Sequence, residues 1–272
     1  MNNQSLLSII KQAEQNKTRI LHLFNQNLMA LPLELFQLSH LEELGLSGNQ
    51  LTTLPPELAK LSRLKVLYLS HNQLTELPLV VCQLPHLKFL YLSHNQLTTL
   101  PTKIARLSQL ESLYLNDNKL AILPTSLSKL TQLRILILNN NQLTTLPYLI
   151  GKLVQLESLY LNNNQLTALP LTICNLSGLK RLFLSDNQLT TLPLQFYQLS
   201  HLEKLTLFEN PLPLEMEFFK WVDEPKKTIN YLTEQRLKQA FDKEQKYISI
   251  LDMIGWLLMI IAIFTGFIWL KT

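Results

Sequence analysis

The chain has 272 residues, enough for one extended domain and an appendage, and its 24 Lys and Arg exceed its 20 Asp and Glu by only four. So small an excess, spread along the whole length, argues against a nucleic-acid partner, which usually leaves a clustered basic face. Only six glycines occur, and none stands in GxxxxGK[ST], which excludes a phosphate-binding loop.

Residues 1–17, MNNQSLLSIIKQAEQNK, lack a basic stretch followed by an apolar core, so they do not read as a signal peptide. Leu6, Ile9, Ile10 and Ala13 share one helical face. The spacing predicts an amphipathic helix, with Asn3 or Ser5 capping its start and Asn16 ending it. It is expected to cover the open edge of the repeat that begins at Thr18; docking a partner on its own is the alternative.

From Thr18 the chain repeats. Leu41, Leu64, Leu87, Leu110, Leu133, Leu156 and Leu179 each open a copy of 23 residues, Thr18 a degenerate first one, and Leu202 a last one broken off after Asn210. Such a period is the mark of a solenoid. Within a copy, segments such as Leu44-Gly45-Leu46 alternate, which predicts a short strand with one buried face. An asparagine follows each strand from Asn49 to Asn210, and its amide is suited to backbone groups left unpaired at a bend. Leu-Pro pairs, from Leu54-Pro55 to Leu192-Pro193, then end any regular strand. The remainder has room only for a short helical or 3₁₀ turn. Each unit exposes a leucine face that only its neighbours can cover, so nine units build one continuous core.

The pattern LxxLxLxxNxLxxLPxxIxxLxx resembles the leucine-rich repeat family, in its 23-residue Leu-Pro form seen in Ras-suppressor-like scaffolds, plant intracellular repeat proteins and bacterial proteins. The resemblance covers residues 18 to about 213. It implies an α/β solenoid: a horseshoe with a parallel concave sheet and helical caps, which binds another macromolecule. Some relatives carry a GTPase domain beside the repeats; nothing in this chain matches one.

Side chains between the paired strand leucines are expected to line the concave face. They are His22, Gly45, Tyr68, Tyr91, Tyr114, Ile137, Tyr160, Phe183 and Thr206, about 4.8 Å apart from strand to strand. Beside them run Val66, Phe89, Ser112, Ile135 and Ser158. Exposed apolar strips mark contact surfaces and tyrosine is favoured at their hot spots. The candidate partner-binding residues are therefore Tyr68, Phe89, Tyr91, Tyr114, Ile137, Tyr160 and Phe183; propagation of one tyrosine by duplication is the competing explanation. The flanking column Glu42, Lys65, Lys88, Glu111, Arg134, Glu157, Lys180 and Glu203 mixes signs, which argues against phosphate tracking. His71 and His94 are expected to stack with Asp117 beside them, as solvated surface rather than a metal site. Cys82 and Cys174 occupy one repeat position four units apart, too far to bridge, where other copies hold Ala59, Ala105, Ser128 or Gly151. They read as small half-buried thiols; extracellular members of the family that the chain resembles usually have cysteine-stapled caps, and the lack of such cysteines fits a reducing compartment. No nucleophile with a base stands out, so neither enzyme activity, metal nor cofactor is expected.

Beyond Asn210 the repeat ends. Phe218, Phe219 and Trp221 in residues 214–232 suit a C-terminal cap. The pairs Glu234 with Lys238 and Asp242 with Lys246 predict a helical stalk over 233–247. Met253 to Leu270 holds 18 residues without a charge, which at 1.5 Å per residue spans about 27 Å, close to a hydrocarbon core. A transmembrane helix is therefore expected within residues 248–270, contacting the lipid bilayer. Arg236, Lys238, Lys243 and Lys246 before it, against Lys271 after it, place the repeats in the cytoplasm, as in a tail-anchored protein of a bacterial inner membrane. Gly255, Ala262 and Gly266 form a small-residue face on which two such helices would pair as a homodimer.

The expected function is a non-enzymatic, membrane-tethered scaffold that binds a protein or peptide on its concave face. Two alternatives are a regulatory subunit of a separately encoded GTPase or kinase, and a receptor with the repeats outside.

Overall fold

A computed structural model describes residues 3–212 and Glu234. The cap, stalk and transmembrane helix expected over 214–232, 233–247 and 248–270 lie outside the described residues, Glu234 of the stalk apart, as does the small-residue face at Gly255. Among the described residues no helix is long and apolar enough to cross a membrane.

The N-terminal segment forms helix α1, Asn3–Gln15. Leu6, Ile10 and Ala13 are buried in the common core and Ile9 packs against it, as the helical spacing requires. The helix begins at Asn3, and its last residue, Gln15, directly precedes Asn16. Ser5 lies inside the helix rather than ahead of it. Lys17, not Asn16, takes the left-handed backbone (φ 47°) that closes the C-terminus, and Thr18 N–H donates to Ala13 O at 3.0 Å.

Nine three-residue strands come next, joined into one parallel sheet in strict sequence order. They are β1 (Ile20–His22), β2 (Glu43–Gly45), β3 (Val66–Tyr68), β4 (Phe89–Tyr91), β5 (Ser112–Tyr114), β6 (Ile135–Ile137), β7 (Ser158–Tyr160), β8 (Arg181–Phe183) and β9 (Lys204–Thr206). Register is fixed by the central leucine of each: Leu44 pairs with Leu67, Leu67 with Leu90, and so on to Leu205, and all of these are buried. The two outer residues of every strand face away from the core. A one-residue slip would expose the whole leucine row, so the buried face itself enforces the stacking.

The return of each of the first eight units is a 3₁₀ helix of three to five residues, so α1 is the only α-helix bounded within residues 3–212. Each full-length 3₁₀ helix starts where Leu-Pro puts it. Pro55 holds φ −72°, ψ 153°, and its carbonyl accepts from Leu58 N–H at 3.1 Å; Pro101, Pro124, Pro147, Pro170 and Pro193 repeat the arrangement. The next column holds small residues from the second unit to the seventh, Ala59, Cys82, Ala105, Ser128, Gly151 and Cys174, with Tyr197 at the same position of the eighth. At Gly151 a Cβ would lie 2.1 Å from Thr172 O. Phe36 fills the equivalent position of the first unit and is buried. Cys82 and Cys174 are free and buried, and burial pushes both thiols up to about 11.

The asparagine column stitches the units together. Asn72 Oδ1 accepts from Leu51 N–H at 3.0 Å, while its Nδ2 donates to Leu46 O and Leu69 O, each at 3.0 Å. Asn95, Asn118, Asn141, Asn164, Asn187 and Asn210 do the same one unit further on. Every asparagine thus satisfies backbone groups of two consecutive units that the turn has taken out of the sheet.

Candidate functional site

The open face of the sheet is built from the outer residues of the nine strands. The register places Tyr68 beside Tyr91, Tyr91 beside Tyr114, Tyr114 beside Ile137, Ile137 beside Tyr160 and Tyr160 beside Phe183. Phe89 lies in the second column between Val66 and Ser112. All seven residues anticipated for binding therefore fall on one surface, and each is half-buried against its neighbours.

Their rings are stacked rather than splayed. Tyr68 and Tyr91 have centroids 4.5 Å apart and planes within 15°; Tyr91 and Tyr114 are at 4.4 Å and 20°. Ile137 interrupts the ladder, and Tyr160 on Phe183 resumes it at 4.5 Å and 11°. The spacing comes from the sheet, because adjacent parallel strands bring equivalent side chains to about that distance. Ring faces are thus taken up internally, and the ladder presents ring edges and phenolic hydroxyls. Burial pushes Tyr91 up to about 12, helped by the neighbouring Tyr114 and Tyr68 phenols, so it stays a neutral hydrogen-bonding group. Tyr68 is raised too, by burial first and then by Glu43.

One member of the strip is not legible from strand alternation. Gly45 leaves a gap in the column, and Phe24 fills it: a Cβ on Gly45 would lie 2.5 Å from the Phe24 ring. Phe24 stacks on His22 at 4.7 Å and meets Tyr68 edge-on at 5.7 Å. The aromatic strip therefore starts two strands earlier than the tyrosines alone indicate. Ser112 and Ser158, expected in the exposed strip, are buried. Arg181 explains the second, since its guanidinium donates to Ser158 Oγ at 3.2 Å.

One flank is charged and internally neutralised. Lys65 Nζ meets Glu42 at 2.7 Å, Lys88 meets Glu111 at 2.8 Å, and Arg134 and Lys180 share Glu157 at 3.0 and 2.8 Å. The Lys180 hydrogen bond holds the Glu157 carboxyl below its usual range, and Lys65 does the same for Glu42.

The other flank is polar for a backbone reason. His71, His94, Asp117, Asn140, Asn163, Asp186 and Glu209 all have φ between 51° and 56°, and Gly48 has 72°. Asn, Asp, His and Gly tolerate this left-handed region best, so their recurrence before the buried asparagine was a readable signal of the turn. His71 and His94 stack at 4.1 Å, with Asp117 3.3 Å from His94 Nε2. Asp117 in turn accepts from Asn140 Nδ2 at 2.7 Å, so it is already engaged. No group of metal-binding side chains converges among the described residues.

Residues 16–74, 39–97 and 154–212 match the family model described as leucine rich repeat, and residues 79–159 match that of a leucine-rich repeat region. No curated protein matches the sequence. Among solved structures the chain is similar to a leucine-rich repeat protein of Leptospira interrogans, with 37% identity and a TM-score of 0.65 over 74% of this chain and 57% of that one. It is similar to internalin C2 of Listeria monocytogenes, with 28% identity and a TM-score of 0.66 over 75% of this chain and 92% of that one. A third similar structure is the ectodomain of the plant membrane receptor kinase GASSHO1/SCHENGEN3 from Arabidopsis thaliana, in complex with CASPARIAN STRIP INTEGRITY FACTOR 2. There identity is 37% and the TM-score 0.63, over 71% of this chain and 24% of that one. This chain thus spans little more than half of the Leptospira protein and a quarter of the plant ectodomain.

Proposed function

Because the chain belongs to the leucine-rich repeat family, we propose that it is a non-enzymatic scaffold whose concave face captures a protein or peptide. The observation that carries this is the continuous strip of Phe24, Tyr68, Phe89, Tyr91, Tyr114, Ile137, Tyr160 and Phe183 on the open face. Half-buried aromatic edges and hydroxyls at strand spacing offer both apolar contact and hydrogen bonds, the mixture that dominates protein interfaces. The plant ectodomain's complex with CASPARIAN STRIP INTEGRITY FACTOR 2 supports partner binding by a fold of this kind.

The apolar stretch 253–270 supplies the tether in this proposal, holding the repeats on the cytoplasmic side of a bacterial inner membrane. Orientation is tested by labelling, and the native thiols are unsuited to it because Cys82 and Cys174 are buried. A Ser62→Cys variant places a thiol at an exposed position. An impermeant maleimide should label it only after the cells are opened; labelling in intact cells refutes the cytoplasmic placement.

Capture on the concave face is tested by pull-down from detergent-solubilised membranes. Wild type is compared with a Tyr91→Ala, Tyr114→Ala, Tyr160→Ala variant whose far-ultraviolet spectrum is unchanged. Loss of the recovered partner is expected, and equal recovery refutes the assignment.

A further inference from the structure

The 3₁₀ helices lie across the leucine core from the sheet, and their exposed residues form a second surface. Its charge changes along the stack. Glu34 stands in the first 3₁₀ helix, Leu33–Gln37, and Glu57 with Lys60 in the second, Pro56–Lys60. From Val81–Gln83 to Leu194–Gln198 none of these helices holds an acidic residue. Lys103 and Arg106 lie in Thr102–Arg106, Lys129 in Thr125–Lys129 and Lys152 in Tyr148–Lys152, and all of them are exposed. Arg106, Lys129 and Lys152 close three consecutive helices, 23 residues apart, and so make one row along the stack. Arg19, Lys65, Lys88, Arg134 and Lys180 beside the sheet each pair with a carboxylate; Lys103, Arg106, Lys129 and Lys152 pair with none among the described residues. The carboxylates of the later units face elsewhere. Glu111, Glu157 and Glu203 stand on one flank of the sheet, and Asp117, Asp186 and Glu209 in the left-handed turns of the other. Glu76, exposed ahead of Leu77-Pro78 in the third unit, offsets at most one of the cations.

Next to the cations the same surface turns apolar. Tyr148, Leu171 and Leu194 open three consecutive 3₁₀ helices, and Tyr148 and Leu171 are 66% and 50% exposed. A hollow lined by Tyr148, Leu149, Gly151, Lys152, Thr172 and Asn175 joins this row to the last cation, with the Lys152 ammonium and the Asn175 amide as donors. Cations without acids, beside exposed leucine and tyrosine, suit an anionic lipid surface: the cations meet headgroup phosphates and the apolar side chains enter the interfacial layer. A protein partner must bring carboxylates at the fixed spacing of the row, whereas headgroups diffuse to it. Each Lys or Arg near an anionic leaflet adds about fivefold in affinity, which orients a protein that a tether already holds at the membrane. The apolar stretch 253–270 begins about 40 residues beyond Leu212. Even as one continuous helix such a link is about 60 Å long, so the 3₁₀ face is within reach of the bilayer.

We propose that the 3₁₀ face of units four to eight rests on an anionic lipid bilayer. Lys103, Arg106, Lys129 and Lys152 meet headgroup phosphates, and Tyr148, Leu149, Leu171 and Leu194 enter the interfacial layer. This rests on the tether reading and deepens it by giving the horseshoe an orientation. The bilayer then lies across the core from the tyrosine ladder, which is left open to the cytoplasm.

The test reconstitutes the full chain into vesicles of phosphatidylcholine, alone or with phosphatidylglycerol, that carry a lipid spin-labelled at its headgroup. A thiol-reactive fluorophore is placed by Thr125→Cys on the 3₁₀ face or by Ile135→Cys on the sheet face, Cys82 and Cys174 being buried. With phosphatidylglycerol the Thr125 probe should be quenched about twofold more than the Ile135 probe, and high salt should reduce the difference. Lys103→Gln, Arg106→Gln, Lys129→Gln and Lys152→Gln together should remove the dependence on phosphatidylglycerol. Tyr148→Ser with Leu171→Ser should lower the quenching in both lipids. Equal quenching of the two probes, or a dependence on phosphatidylglycerol that survives the four glutamines, overturns this inference; flotation of the chain with the vesicles then leaves the tether standing. Flotation with neither probe quenched overturns it in favour of an acidic protein as the occupant of the cationic row. A chain that floats with neither lipid removes the tether reading as well.

Discussion

Replacing Asn141 by alanine tests the reasoning about what binds one unit to the next. Its Oδ1 accepts from Leu120 N–H at 3.0 Å, and its Nδ2 donates to Leu115 O and Leu138 O, each at 3.0 Å. The substitution leaves one buried amide and two buried carbonyls short of a partner. An unsatisfied buried group costs about 1–3 kcal/mol, and carbonyls with a second partner lose less. Water entering the space left by the amide recovers part, so the expected loss is about 3–5 kcal/mol. Asn141→Asp should be no milder. It keeps the acceptor for Leu120 N–H but turns a carboxylate without donors toward two carbonyls. The neighbouring Gln142 is exposed, and Gln142→Ala should stay within about 0.5 kcal/mol. Urea unfolding monitored by far-ultraviolet dichroism measures the total. Amide hydrogen exchange locates it: protection should fall at Leu120 and in the units on either side, because each unit contacts only its neighbours. A loss below about 1 kcal/mol, or protection lowered equally from β1 to β9, would refute the idea that these amides carry the inter-unit contact.

Gly151→Ala should cost about 1–3 kcal/mol although alanine stands at the same repeat position at Ala59 and Ala105, because the new Cβ would lie 2.1 Å from Thr172 O; thermal melting decides, and a neutral result would show that the two 3₁₀ helices can part freely. Glu209→Asn should stabilise by about 0.5–1 kcal/mol, since Glu209 holds φ 51° with a side chain poorly suited to it; no gain would mean that the local turn is not strained. Tyr91 ionises later folded (about 12) than at its ordinary value of 10.0, so its contribution is fully present below pH 10 and is lost as pH rises toward 12. Tyrosinate absorbance should show one late-titrating group that Tyr91→Phe removes, and an unchanged titration would refute the shift. Glu157 is held below its ordinary value of 4.5 by Lys180 and Arg134, so it adds stability above the unfolded pKa that disappears as pH falls. Glu157→Gln should flatten the acid limb of the stability profile at low salt, and an unchanged limb would count against the pairing.

The repeats were readable because the leucine, asparagine and proline positions each answer to a local requirement. Leu67 must be buried, Asn72 must satisfy backbone at a bend, and Pro78 must end a strand, whatever lies elsewhere. The residues of the open face were readable for the same reason, since alternation along a strand assigns Tyr68 and Leu67 to opposite sides. The left-handed turn at His71 through Glu209 escaped that reading although its residue types pointed to it. Polarity alone draws attention to that row, while the backbone selects it.

Sequence by itself determined the period, the buried row, the face of each side chain and the small-residue column, because all of these are set within one unit or by simple succession. Tertiary structure alone decided what a unit cannot know of its neighbours. It brought Phe24 over Gly45, closed the tyrosine faces on one another and folded Arg181 across Ser158. It also set how nearly Thr172 approaches Gly151. Those outcomes depend on distances of a few ångströms between residues 21–23 positions apart, and such distances exist only once the units are stacked.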